Sequence, residues 1–366
     1  MDCLCRIALF RSLLKPKYCF KPSRLSSSKA QEKVSWNKRI FSGIQPTGSL
    51  HLGNYYGAIK QWVKLQDEGE DVIYSIVDLH AITLPQEPKQ LSQNIYDCAA
   101  TLLACGIDPD KSILFLQSTI SYHAELSWVL NCLTTMPRLA HLPQFKEKSA
   151  MVKDVPLGLY VYPVLQSADI LLYKATHVPV GEDQIQHLQL ANHLAQTFNN
   201  RFGTTFPPVK PLTQESAGTA RLRSLRNPEK KMSKSDPDPR SRIDLSDEPD
   251  VIMDKLRKAV TDCTSEVTYD PENRRAVATL VELMALSTGQ SPQQVCEDAR
   301  GIDTGQFKLR VADAICEALA PVREERRRLL AEPNYLRQVL AYGAERAYDI
   351  ATDTWIDVSK KTGIGL

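Results

Sequence analysis

The stretch Arg39 to Lys60, RIFSGIQPTGSLHLGNYYGAIK, constrains the fold more than any other part of the chain. The apolar pair Ile40–Phe41 gives way to Gly43, Pro46, Gly48 and Gly53, then to apolar residues at helical spacing, Tyr56, Ile59, Trp62 and Val63. This pattern predicts a strand, a glycine-rich turn and a helix whose N-terminus lies near 51–54. Such an end presents unpaired N–H groups and partial positive charge, and so attracts phosphate. His51 and Asn54 add side-chain donors on neighbouring helical positions. Gly53 would let a flat ring or a phosphate come close to the backbone. By itself a glycine-rich turn is, in most proteins, only a turn.

The segments that follow alternate strand and helix. Val72–Val77 (VIYSIV) is a continuous apolar run suited to a parallel strand buried on both faces, and it ends in Asp78-Leu79-His80, at the edge where open α/β sheets bind ligands. Residues 89–105 have helical periodicity and 112–116 read as another buried strand, which together give an α/β protein with a parallel sheet. A helix broken at Pro137 covers 121–149, and 157–174 is a long apolar helix interrupted at its start by Pro163. His177–Val180 reads as a short strand, and Gly181-Glu182-Asp183 opens a helix running to about Phe202. From 248 onward strand signals fade, and 249–260, 273–288, 306–330 and 335–356 show helical periodicity, so a domain boundary is placed near 240–250.

Charge is uneven. Residues 1–39 hold ten Lys and Arg against Asp2 and Glu32, a net +8; with the whole chain at +2 the remainder carries −6. Arg6, Ile7, Leu9, Phe10, Leu13 and Leu14 suit a basic amphipathic helix, and a serine-rich segment nearly free of acids follows, the composition of a mitochondrial transit peptide over about 1–35. Nine cysteines without a C-x-x-C pair argue for thiols in a reducing compartment. No apolar run is long enough to span a membrane, and the seven histidines lack a metal-ligand spacing, so no zinc is expected.

A second basic stretch lies far downstream: Lys230-Lys231-Met232-Ser233-Lys234-Ser235, then Asp236-Pro237-Asp238-Pro239. HLGN followed by KMSKS is the paired signature of the class I aminoacyl-tRNA synthetases, and the chain resembles that family. GIQPTGSLHLGNY, QFKEKSA (144–150), SADILLY (167–173), VPVGEDQ (178–184) and KKMSKSDP make it similar to the tryptophanyl-tRNA synthetases, and the N-terminal extension to their mitochondrial form. The resemblance runs from Ile40 to the C-terminus. It implies a Rossmann-type catalytic domain over 36–245 with a helical dimerisation insertion at about 121–156, an all-helical anticodon-binding domain over 246–366, and a homodimer in the mitochondrial matrix. The reaction implied is ATP-dependent attachment of L-tryptophan to tRNA(Trp) through a tryptophanyl-adenylate, with Mg²⁺ carried by ATP and no organic cofactor.

Adenylate formation needs no protein nucleophile, because the amino-acid carboxylate is already ionised. The protein must position the reactants and neutralise phosphate charge. The resemblance assigns that task to Lys234 and Lys231 in a mobile loop, with His51 and Asn54 opposite. It gives ATP the further contacts Gln45, Leu52, Gly53, Lys148, Gly181, Glu182, Asp183, Gln184, Leu222, Met232, Ser233 and Ser235. Within these, the backbones of Met232 and Leu222 would meet the adenine and 181–184 the ribose. Asp236 and Asp238, each followed by Pro, read as a rigid turn rather than a metal site. An indole slot needs an acceptor for one N–H, and Asp169 is the only acid on its apolar helix. Left unpaired by phenylalanine, such an acid would discriminate by ~10⁴–10⁵. Phe41, Gly43, Gln45, His80, Tyr162 and Gln166 would complete the amino-acid pocket, with Gln166 standing where bacterial relatives commonly have Met. Arg323, Arg326, Arg327 and Arg328 read as a solvated helix face.

Three other readings fit less of the chain. A tyrosine enzyme would need a pocket built for a phenol, which SADILLY with KMSKSDP does not suggest. A small-metabolite nucleotidylyltransferase would leave 250–366 without a purpose. A catalytically dead RNA-binding relative would not need His51, Lys231 and Lys234 intact.

Overall fold

The computed structural model describes residues 35–142, 154–181, 184–212, 222–234 and 236–365. Asn37–Leu366 is one compact unit, separate from Met1–Trp36. Its sheet has five parallel strands in the order β3-β2-β1-β4-β5: β1 (Ile40–Ile44), β2 (Val72–Ile76), β3 (Ile113–Leu116), β4 (His177–Pro179) and β5 (Lys210–Leu212). Every residue of β2 is buried, as its unbroken apolar run requires. The strand order reverses between β1 and β4, and the crevice beyond their carboxyl ends is where this architecture binds ligands.

The glycine-rich turn after β1 leads into one continuous helix over 52–67. It is α-helical at Leu52–Asn54 and Lys60–Asp67, with a π-helical turn at Tyr55–Ile59 between. Leu52, Tyr56, Ile59 and Trp62 face the core, and Trp62 stacks on Tyr74 of β2 with ring centres 4.8 Å apart. Pro137 starts the helix Met136–Ala140 rather than ending one, since its missing N–H costs nothing in a first turn. The helix Leu157–Leu172 runs through Pro163, where an interruption was expected. Buried Tyr162, Val164 and Ala168 hold that helix by packing, which outweighs one lost backbone bond.

Beyond 248 the chain is helical among the described residues: Pro249–Arg257, Arg275–Thr288, Pro292–Asp298, Thr304–Leu330 and Pro333–Thr362. Ser291 and Asp303 cap two of these helices by accepting from the N–H groups of Gln294 and Gln306. One hydrophobic cluster joins Ile40, Leu52 and Ile59 to Leu280, Leu283, Phe307 and Ile315, so packing runs straight across the boundary expected at 245–246. A second cluster, with Phe41, Phe115, Leu171 and Phe198, fills the opposite side of the sheet. Gly343 lets the helix Pro333–Thr362 lie on the backbone of β3, and Arg346 donates to the carbonyls of Pro109 and Ser112 at 2.7 and 3.0 Å.

The arginine run lies on a helix face where Arg327 and Arg328 are exposed, and its members make ion pairs and hydrogen bonds there. Arg326 pairs with Asp97, Arg327 with Glu248, Arg328 with Glu325 and Glu332, and Arg323 donates to the Cys316 carbonyl. No helix among the described residues is long and apolar enough to cross a membrane.

Candidate active site

The two motifs that lie far apart in sequence meet at the mouth of the crevice. Backbone pairing holds them there: Leu52 donates to the Ile243 carbonyl at 2.9 Å and Leu245 to the Leu50 carbonyl at 2.7 Å, forming an antiparallel bridge between His51 and Asp244. On its other flank the basic loop pairs with 222–224: Ser224 donates to the Lys230 carbonyl and Met232 to the Leu222 carbonyl, at 2.9 and 3.0 Å. The segments on either side of the loop, 222–232 and 243–245, are thus held by backbone pairing. Its trailing turn is fixed as well. Asp236 accepts from the Asp238 N–H, Asp238 caps Pro239–Ser241 and pairs with Arg240, and Arg242 donates to the Asp236 carbonyl.

The same pairing involves the two residues expected at the adenine. The Met232 N–H, expected to meet the base, is bonded to the Leu222 carbonyl, and the Met232 side chain is buried in the core. Its Cβ lies 3.8 Å from the position a Cβ on Gly53 would take; that same atom would fall within 2.9 Å of the His51 imidazole. Gly53 is thus required by the close approach of the His51 ring within its own motif, not only by access for a ligand.

His51 is 3% exposed, and its Nδ1 has no hydrogen-bond partner. Burial, reinforced by Lys234, Arg242 and Lys231, lowers its pKa to about 3, so the ring is neutral at physiological pH. Its backbone N–H donates to Asn54 Oδ1 at 3.2 Å, which ties the two donors of HLGN together. The Lys234 ammonium donates to the Gly48 carbonyl at 3.3 Å. Burial lowers the Lys234 pKa, while Asp244 and Asp97 pull it the other way. A buried polar atom without a partner, beside cations held in place, makes an anion site. Lys231 stands exposed at the rim. Gln45 and Gly43 are exposed at the end of β1. Gly181 and Gln184 enter from the β4 side, on opposite flanks of the reversal point. Lys148, Glu182, Asp183 and Ser235 lie outside the described residues, as does the QFKEKSA segment. Ser233 is part-exposed in the basic loop.

Asp169, Phe41, His80 and Tyr162 come together below this mouth, and all four are buried. Asp169 has the partners that a buried acid on an apolar helix requires. Its Oδ1 accepts from Gln117 Nε2 and His123 Nδ1, and its Oδ2 from His80 Nε2, each at 2.7 Å. Burial alone would push this carboxyl up, but His80 and His123 hold it well below the usual carboxylate range. Phe41 stacks on Tyr173 with ring centres 5.5 Å apart, and the His80 ring stands edge-on to Tyr162.

Gln166 is likewise engaged. His187 Nδ1 lies 2.8 Å from Gln166 Oε1 and 3.0 Å from Gln184 Oε1, and His187 Nε2 is 3.5 Å from the Tyr162 hydroxyl. The polar side chain in place of Met thus belongs to a bonded cluster that joins Tyr162 to Gln184 through His187. Four residues of this site escaped the sequence reading: Gln117, His123, Tyr173 and His187. Tyr173 closes the SADILLY motif, and His187 sits one turn after Gln184. Nothing local marks Gln117 or His123. Among the described residues no three His, Cys, Asp or Glu side chains converge as metal ligands.

A family model described as tRNA synthetases class I (W and Y) matches residues 35–320. The chain is 46% identical over 327 residues to a tryptophan–tRNA ligase of Caldanaerobacter subterraneus, covering 89% of this chain and 98% of that protein. It is 43% identical over 355 residues to the mitochondrial tryptophan–tRNA ligase of Caenorhabditis elegans, covering 94% and 96%. A crystal structure of tryptophanyl-tRNA synthetase from Campylobacter jejuni, complexed with ADP and tryptophan, superposes with a TM-score of 0.78 at 34% identity, covering 89% of this chain and all of that one.

Proposed function

This chain belongs to the class I tRNA synthetases of the tryptophan and tyrosine group, and we propose that within the family it is a tryptophan–tRNA ligase. The observation that carries the reading is the meeting of HLGN and KMSKS around the partnerless Nδ1 of neutral His51. An oxygen of the tryptophan carboxylate attacks the α-phosphorus of ATP, the bond from that phosphorus to the bridging oxygen breaks, and pyrophosphate leaves with tryptophanyl-adenylate formed. His51 and Asn54 donate to phosphate oxygens. Lys234 and Lys231 neutralise the charge that builds on the leaving pyrophosphate. Mg²⁺ enters with ATP, held by phosphate oxygens and water. The aminoacyl group then passes to the 2′-hydroxyl of the terminal adenosine of tRNA(Trp), and the helices beyond 248 bind the anticodon arm.

The working unit in this reading is a homodimer. Ile82, Trp128, Met136 and Leu157 are 59, 71, 71 and 73% exposed, the last three on helices, and a groove of about 380 Å³ beside Ile82 and Trp128 is walled by Pro156, Val161 and Leu165. So much apolar surface in one region suits a subunit contact. Basic, serine-rich residues 1–35 and the mitochondrial relative support import into the mitochondrial matrix.

Pyrophosphate exchange measured with each amino acid in turn tests the activity. Exchange dependent on tryptophan alone, followed by charging of tRNA(Trp), is the expected result; dependence on tyrosine, or no exchange, overturns the reading. Fusing residues 1–35 to a fluorescent protein tests the targeting, and a cytosolic signal would refute it.

A further inference from the structure

The acid below the crevice is surrounded more elaborately than a single hydrogen bond to a ligand requires. Gln117 has no freedom in its role, because its Oε1 accepts from the Leu79 N–H at 3.1 Å and its Nε2 must therefore face Asp169. His123 is equally constrained. Its Nδ1 faces a carboxylate and can only donate, so in the neutral ring Nε2 must accept. The group that Nε2 meets at 2.8 Å is the hydroxyl of Tyr173, fully buried, whose phenol burial and the nearby Asp169 keep protonated. The Tyr173 O–H thus fixes the tautomer of His123, and His123 fixes Oδ1. A carboxylate has about four acceptor directions, two on each oxygen. Both on Oδ1 are filled by Gln117 and His123, while among the described residues Oδ2 has His80 alone.

We propose that His123 and Tyr173 are positioning residues for amino-acid selection: by saturating Oδ1 of Asp169 they leave Oδ2, shared with His80, as the one oxygen able to accept an indole N–H. This rests on the reading of the crevice as a tryptophan site. It adds that selectivity for the indole nitrogen is held from behind, through a tyrosine–histidine relay that touches no substrate. Two donors on one oxygen and one on the other orient the carboxylate plane before the amino acid arrives, so no reorganisation is needed on binding.

The test compares tryptophan with its benzothiophene analogue, which has the same shape but sulfur in place of the N–H. Pyrophosphate exchange gives kcat/KM for each in the wild type, His123→Leu, His123→Asn and Tyr173→Phe. Asparagine keeps an N–H at the position of Nδ1, whereas leucine does not. The ratio of tryptophan to analogue is expected to fall about tenfold in His123→Leu, the scale of one charge-assisted hydrogen bond. It is expected to recover mostly in His123→Asn and to fall several-fold in Tyr173→Phe, the losses appearing in KM for tryptophan. A purely structural role would lower both substrates alike and leave the ratio unchanged; that outcome overturns the proposal. Should His123→Leu fail to fold, Tyr173→Phe, which removes only a hydroxyl, decides it by the same criterion. A wild type without tryptophan-dependent exchange refutes the site reading itself, whereas wild-type exchange with unmoved ratios refutes only the relay.

Discussion

The Lys234 ammonium donates to the Gly48 carbonyl at 3.3 Å, across 186 residues of sequence. That bond parks the cation over the glycine-rich turn before any nucleotide is present, next to the open Nδ1 of His51. Replacing Lys234 by Ala is expected to lower the rate of tryptophan-dependent pyrophosphate exchange by ~10²–10³ with a smaller change in KM for tryptophan, as for loss of one preorganised charge. Lys231, more exposed, should cost less. Undiminished exchange in the Lys234→Ala protein would retire the role given to this loop.

His51 links catalysis to acid stability. Its proton binds near 6.5 in the unfolded chain and near 3 in the folded one. Between those values the unfolded state holds more protons, so stability drops as pH falls through the window, by up to about 1.4 kcal/mol per pH unit from this group. His51→Gln is expected to flatten that part of the profile. Urea unfolding from pH 7 to 4.5 checks it; parallel profiles for the two proteins would contradict the assignment.

Gly343→Ala should destabilise the protein although alanine is the better helix former. A Cβ at 343 would stand 1.9 Å from the Leu114 carbonyl oxygen, backbone that cannot swing away. Against a helix-propensity gain of about 1 kcal/mol, the helix must lift off β3, a loss of roughly 2–4 kcal/mol net by analogy with overpacked cores. A lowered midpoint in chemical denaturation is the expected signal, and an unchanged or raised midpoint would show that the helix is not seated on the strand.

The apolar surface around Trp128 bears on assembly. Trp128→Glu puts a charge in the middle of the proposed subunit contact, and sedimentation should report monomers at concentrations where the wild type is dimeric. Unaltered sedimentation of a dimeric wild type and variant would move the contact elsewhere.

Much of this site could be read from residues alone because its parts are contiguous. In RIFSGIQPTGSLHLGN the strand, the turn and the helix start are successive, and the glycines and His51 stand where the chemistry needs them. Asp169 likewise was legible as a lone acid among apolar neighbours. Its partners were not, since Gln117 and His123 precede it by 52 and 46 residues and come to it only through the packing of separate helices. Backbone pairing of 243–245 with 50–52 leaves no trace in side-chain type, so the anchoring of the segment after the basic loop was invisible. The same holds for the burial of the Met232 side chain, which its place in a motif does not announce. The boundary near 245 came from a change of periodicity, which reports local geometry and says nothing about whether two regions share one interior.

Strand order has one last consequence, for biosynthesis. β3 borders the sheet, and the helix seated on its backbone, Pro333–Thr362, is encoded far downstream. While the ribosome is still making that helix, a completed strand waits with its outer amide groups uncovered, an invitation to pair with a neighbouring nascent chain. Chaperone protection should matter most in that interval, and truncation anywhere before the helix would make the vulnerability permanent.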